Sequence, residues 1–272
     1  MATTQNKHDS KMTDPIRIKI YTRSMNDVLY HKSMALCSLP YEKVRLKNTT
    51  AEGYLYQIIA DTEADWVINI DEDAFVTNVE ALEDLIDYCM DNGFVNCGMP
   101  DGGIVHLRDG NPMVTNPYFN IFHTQAVRKI LNGSIPVPIE PPNRQCFRAD
   151  NILVAPYNFD NTDVEPYYPL FIWMANHCKT LYLKATNHPD GESTVLCDHH
   201  NHPFLIHTWY SRFYNHDRIH TRRIDKAFHE ACCLQGITYH QPVSDTLSAS
   251  VARTTNTITS LAVKAKRALL RR

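Results

Sequence analysis

Apolar and polar residues alternate along residues 16–21 (IRIKIY), which predicts a first strand with one buried face. After a polar break over 22–27, a helical pattern runs to about Leu39, where Pro40 stops it. Residues 42–47 read as a short second strand. Residues 50–62 read as a helix, because Thr49 and Thr50 precede Glu52 as a start signal and apolar positions follow at helical spacing. Trp66–Ile70 (WVINI) is a compact apolar strand. In residues 80–92, Leu82, Leu85, Ile86 and Cys89 line one face of an amphipathic helix that Gly93 closes. Residues 94–99 read as another strand. This order, with short connections, predicts an α/β fold: one domain over 15–240, with a mostly parallel central sheet flanked by helices.

Past residue 100 the texture changes. Gly102-Gly103, Asn111-Pro112 and Asn116-Pro117 mark turns. Helical pattern returns at 124–132, 167–178 and 208–230, and residues 179–185 read as a late strand. The segment 186–207, rich in His, Pro, Gly and Asp, reads as a loop closing over something. Residues 1–14 read as a disordered leader and 241–272 as a basic tail. In that tail Ile258, Leu261, Ala262, Ala265 and Leu269 fall on one face of a helix.

Composition narrows the class. With 43% hydrophobic and 21% charged residues, the 272-residue chain matches ordinary globular proteins. The N-terminus has no apolar core of an export signal, and the longest apolar run, residues 170–175, is too short to span a bilayer. A cytoplasmic protein, soluble or held at the inner face of a membrane, is expected, with its eight cysteines reduced. The net charge of −3 hides an asymmetry. Six of the 27 Lys and Arg follow Asp245 and none of the 30 acids does, so the body carries −9 and the tail +6. Such an acidic body argues against nucleic acid as a partner. The tail suits an anionic membrane surface.

The candidate chemistry begins at Asp71 and Asp73, directly after the 66–70 strand. In an extended chain the two would share a face while Glu72 points away. They lie at the carboxyl end of a buried strand, where open α/β sheets bind ligands. Two hard oxygen donors suit Mg²⁺ or Mn²⁺ bridging phosphate oxygens. A carboxylate near a late helix could deprotonate an attacking hydroxyl, and Asp163 and Glu165 both fit, as do helix-capping roles for them. Nine of the fourteen histidines fall between 177 and 229, the densest being His199, His200 and His202 after Cys197. Their spacing gives no clean four-ligand zinc set, so loop or acceptor-side roles are expected for them.

The run from Ala64 to Val76 (ADWVINIDEDAFV) resembles the Asp-x-Asp segment of GT-A fold, Rossmann-like glycosyltransferases, and the element order over about 15–230 is compatible with that fold. The resemblance implies a nucleotide-sugar donor, with a UDP-sugar favoured, a divalent cation, and a glycan or lipid-linked acceptor as in surface-polysaccharide assembly. It implies Asp71 and Asp73 as metal ligands joined by a late histidine. His207 is the choice, since it ends an apolar run, and its nitrogen favours Mn²⁺ over Mg²⁺. It further implies Glu165, ahead of Asp163, as base of an inverting reaction. Tyr21, Thr22 and Arg23 at the end of the first strand, Asp101, and Arg212 are expected to contact the donor. Two rivals stand beside this reading: a metal phosphohydrolase of haloacid-dehalogenase type, in which an Asp-x-Asp holds a nucleophile and an acid, and a non-catalytic zinc- or sugar-binding module.

Overall fold

A computed structural model describes residues 15–101, 110–111, 113–131, 165–246 and 251. The expected leader, the base candidate Asp163 and nearly all of the basic tail lie outside these residues.

The centre is strand β3 (Trp66–Ile70), every residue of which is buried. Trp66, Ile68 and Ile70 join one apolar cluster and Val67 joins another, so the strand is covered on both faces, as the unbroken WVINI run requires. Around it the six-stranded sheet runs β2 (Glu42–Leu46), β1 (Ile18–Arg23), β3, β6 (Phe119–Phe122), β5 (Asn96–Gly98) and β7 (Thr180–Tyr182). The β1–β2, β1–β3 and β5–β7 pairs are parallel, while β6 runs antiparallel to both neighbours. One face packs on α2 (Gly53–Ala60) and α5 (Tyr168–His177), through Ile58, Ile59, Leu170 and Phe171. The other packs on α3 (Val79–Asp91), through Leu82, Leu85, Ile86 and Cys89. Fully buried apolar side chains of this kind contribute about 1.5–3 kcal/mol each. The protein is therefore a mixed α/β fold with a helix-flanked central sheet.

A second sheet corrects the expectation of a loop over 186–207. Strands β4 (Ala74–Val76), β10 (Pro203–His207), β9 (Thr194–Cys197) and β8 (Ala185–Asn187) form an antiparallel four-stranded layer in that order. The strands have three to five residues, and the turns between them are built from Asp190-Gly191 and Asp198–Asn201, so turn-formers dominate the composition. Asp190 closes the first turn by accepting from the Ser193 amide (2.7 Å) and hydroxyl (2.6 Å).

The expected helix over 208–230 also starts late. Trp209 and Tyr210 have left-handed backbones (φ 58° and 61°), which no helix accommodates, and α6 (Arg218–Gln235) begins only where Asp217 caps it through the Ile219 and His220 amides. α6 packs with α1 (Asp27–Leu36) on the second sheet around Phe75, Ile206 and Phe228. The short α4 (Thr124–Ile130) follows β6. No helix among the described residues is long and apolar enough to cross a membrane.

Candidate metal and donor site

The two sheets meet at Asp71-Glu72-Asp73, which joins β3 to β4. The chain does not stay extended there. The Ala74 amide donates to the Asp71 carbonyl (3.1 Å), closing a four-residue turn. Asp71 and Asp73 converge through this turn rather than by strand alternation, because β4 belongs to a different sheet. Glu72 does point away, as expected. Its buried carboxylate accepts from the Ser24 hydroxyl (2.7 Å) and the Asn26 amide (2.8 Å), tying the turn to the start of α1. From α1, the Ser33 hydroxyl donates to the Ala74 carbonyl (2.8 Å).

Register then delivers the histidine. β10 pairs antiparallel with β4 so that His207 lies opposite Ala74, one residue past Asp73. The ladder continues beyond it, with the Thr208 amide and hydroxyl each donating to the Asp73 carbonyl at 3.0 Å. His207 Nε2 comes 3.3 Å from Asp73 Oδ1, and its ring stacks on Tyr118 at 4.0 Å between centroids. One ligand atom from each of Asp71, Asp73 and His207 lies within 4.8 Å of the others.

The electrostatics of this group are strained. Burial, then the charges of Asp73 and Glu72, push the Asp71 carboxyl well above the usual carboxylate range; the Arg23 guanidinium opposes them weakly. Burial likewise raises Glu72. His207 Nδ1 is buried without a hydrogen-bond partner among the described residues. Two carboxylates held together against their repulsion, beside an imidazole with unspent polar capacity, could hold a divalent cation.

The other expected residues divide. Arg23 is near enough for its charge to act on Asp71; it donates to the Thr49 carbonyl (3.3 Å) and lies 5.7 Å from the Tyr54 ring centroid. Burial, then the charge of Asp71, raises the Tyr54 phenol, which places α2 beside the same carboxylate. Tyr21 donates to Asp61 (2.6 Å). Thr22 is fully buried with its hydroxyl towards Met34 sulfur (3.8 Å), on the opposite face of β1 from Tyr21 and Arg23. Asp101 is also fully buried, accepting from Tyr168 (2.7 Å) and Tyr167 (3.2 Å) hydroxyls and from Asn116 (2.5 Å). Those tyrosines follow Glu165, which sits just before α5 with its carbonyl accepting from the Tyr168 amide (3.0 Å). Arg212 lies in a 3₁₀ turn (Ser211–Phe213), its guanidinium 5.1 Å from the Phe213 ring centroid.

Three residues that shape the site were not among those expected. Thr208 fixes Asp73, Tyr118 carries the His207 ring, and Asn69 donates to the Pro117 carbonyl (2.6 Å) one alternation before Asp71. Period-2 alternation along WVINID was a usable signal for Asn69. Nothing in the sequence near Tyr118 pointed to its partner 89 residues later.

No known family matches the sequence, and no curated protein does. Solved structures do match. Among them are A197 from STIV (13% identity, 70% of this chain and 94% of that chain, TM-score 0.37) and a glycosyltransferase involved in glycosylation of the major capsid of PBCV-1 (14%, 77% and 99%, 0.43). A third is the mannosyltransferase PcManGT from Pyrobaculum calidifontis in complex with GDP-Man and Mn²⁺ (10%, 93% and 80%, 0.38). Likeness at this level carries no functional argument, and what the chain does has to be argued from the convergence of Asp71, Asp73 and His207.

Proposed function

We propose that this chain is a GT-A-type glycosyltransferase that moves a sugar from a nucleotide-diphosphate donor, a UDP-sugar by preference, to a glycan or lipid-linked acceptor. The observation that carries the reading is the meeting of Asp71, Asp73 and His207 at the carboxyl end of β3, beside Arg23. These three side chains would hold a divalent cation, Mn²⁺ ahead of Mg²⁺ because one donor is nitrogen. When bound, the cation supplies positive charge that offsets the charge growing on a diphosphate leaving group.

The chain's own residues supply the rest. Glu72 and Thr208 hold the turn, so the two aspartates are positioned before any ligand arrives. In this reading Arg23 meets a phosphate oxygen in a charge-assisted contact, and Tyr21 lines the nucleotide end of the site. Arg212 completes the proposed donor set, while Thr22 and Asp101, both fully buried, support it from the core without touching the donor. Glu165, or Asp163, takes the proton from the acceptor hydroxyl in an inverting transfer. The basic tail after Asp245 brings the domain to an anionic membrane surface carrying a lipid-linked acceptor.

A panel of UDP- and GDP-sugars incubated with the protein and Mn²⁺ tests this through slow donor hydrolysis. Release of nucleoside diphosphate that chelation abolishes supports transfer chemistry. Intact donors throughout, with release of inorganic phosphate from phosphomonoesters instead, would favour a phosphohydrolase.

A further inference from the structure

A second cluster of metal-type ligands lies away from the first and shares no residue with it. It joins α3 to the turn between β9 and β10, the segment whose histidines had no clean zinc spacing in the sequence. The missing partner is Asp84 of α3, 115 residues earlier than His199.

The turn itself explains why adjacent histidines converge. Asp198 Oδ1 accepts from the His200 and His202 amides (both 2.8 Å), and Asn201 takes the left-handed backbone (φ 68°) that closes the loop. His199 and His200 are thereby folded onto each other, with ring centroids 3.9 Å apart. Tyr88, one helical turn after Asp84, stacks on the His199 ring at 4.0 Å and 12°.

Distances decide what the cluster is. Asp84 Oδ2 lies 3.6 Å from His199 Nε2 and 3.6 Å from His200 Nε2. Both exceed the roughly 3.2 Å limit of a good N–H···O hydrogen bond. They lie just beyond the spacing of about 3.3–3.5 Å between donors around a tetrahedral ion with bonds of about 2.0–2.1 Å, a gap that small side-chain rotations close. One donor atom from each residue falls within 4.8 Å of the other two. His199 is the best-packed member of the cluster: its side chain is only 8% exposed, and it is Nε2 that faces Asp84. The Tyr88 stack fixes the ring with Nε2 towards Asp84.

We infer that Asp84, His199 and His200 bind a borderline divalent transition-metal ion, zinc in type, and that this ion ties α3 to the β9–β10 turn. Two imidazoles and one carboxylate select such an ion over Mg²⁺ or Ca²⁺, which need more oxygens. Three protein ligands leave the remaining coordination to water. Because β10 carries His207 at its far end, the tie also steadies the strand that serves the first site.

The inference stands independently of the glycosyltransferase reading, and its test keeps the two apart. The untagged full-length chain is stripped with chelator and titrated calorimetrically with Zn²⁺ and, separately, with Mn²⁺. His200→Ala and Asp84→Asn change side chains that are 59% and 60% exposed, so both variants should fold, which circular dichroism checks. The expected result is a Zn²⁺ site whose affinity falls at least tenfold in each variant, about the lower end of what losing even a supporting partner costs a metal site. Mn²⁺ binding stays the same in all three proteins. Zn²⁺ isotherms in the variants that superimpose on the wild type overturn the site, and a loss confined to one variant overturns the three-ligand arrangement.

Discussion

Replacing Asp71 with Asn should stabilise the metal-free protein while removing its use for a cation. Asp71 and Asp73 present carboxylate oxygens within 4.8 Å of each other, with Glu72 between them. At that separation two unit charges repel by about 0.9 kcal/mol in water and about 3.5 kcal/mol at an effective dielectric of 20. Asp71 keeps some solvent contact, which puts the relief at about 1–3 kcal/mol. Asn is the same shape and retains the oxygen that accepts from the Glu72 amide (3.0 Å), so no hydrogen bond is lost. For a domain of this size, that relief corresponds to a rise in Tm of about 2–10 °C. The sign agrees with the raised carboxyl. The folded state holds its proton more tightly than the unfolded chain does. Wild-type stability therefore falls as pH rises from about 4 through the folded pKa, and the variant removes this contribution. Thermal unfolding in EDTA and in saturating Mn²⁺ measures both halves. In EDTA the variant should melt higher. Mn²⁺ at 100 times its Kd adds about 2.7 kcal/mol to the wild type and little to the variant, which closes or reverses the gap. A variant that melts lower than wild type in EDTA refutes the claim that these carboxylates are held together against their repulsion.

Other perturbations read other parts of the account. His207→Ala should weaken Mn²⁺ binding at least tenfold, measured by calorimetry, because the proposed nitrogen ligand is gone. Burial would raise Asp190, yet hydrogen bonds from Ser193 and Glu192 outweigh it and hold the carboxyl at about 2. That depressed value stabilises the fold above about pH 4 and the contribution is lost as pH falls towards 2. Asp190→Asn should therefore cost about 1–2 kcal/mol at pH 7 in denaturant titrations, after allowance for partial exposure, with the gap closing by about pH 2. Tyr168→Phe removes a hydroxyl donated to the buried Asp101 and should cost about 1.5–3 kcal/mol in the same assay. Glu165→Gln should lower kcat by about 10²–10⁴ with donor affinity unchanged if Glu165 is the base; the same loss in Asp163→Asn instead would assign the role there.

Much of the central sheet was legible because its strands announce themselves. WVINI is apolar throughout since it is covered on both faces, and the α3 stripe of Leu82, Leu85, Ile86 and Cys89 lands in the core. The second sheet was hidden because β8, β9 and β10 are short and bounded by Asp, Gly, Asn and His, so that turn chemistry outweighs strand pattern. The Asp71 and Asp73 pair was visible from its place after β3, but its geometry was not, because the turn to β4 depends on a sheet formed with β10 some 130 residues away. Thr22 illustrates the converse. Strand alternation sends it to Met34 and the interior, on the face opposite Tyr21 and Arg23. Asp84 needed the tertiary fold, since nothing in the sequence links α3 to the histidine turn.

The most direct test of the central claim is calorimetric titration of UDP into the wild-type protein and Asp73→Asn, with Mn²⁺ and with EDTA. The account predicts that wild type binds UDP at least tenfold more tightly with Mn²⁺ than without, and that Asp73→Asn loses this dependence. UDP binding that is equal in Mn²⁺ and EDTA, or a Mn²⁺ dependence that survives in Asp73→Asn, would contradict it.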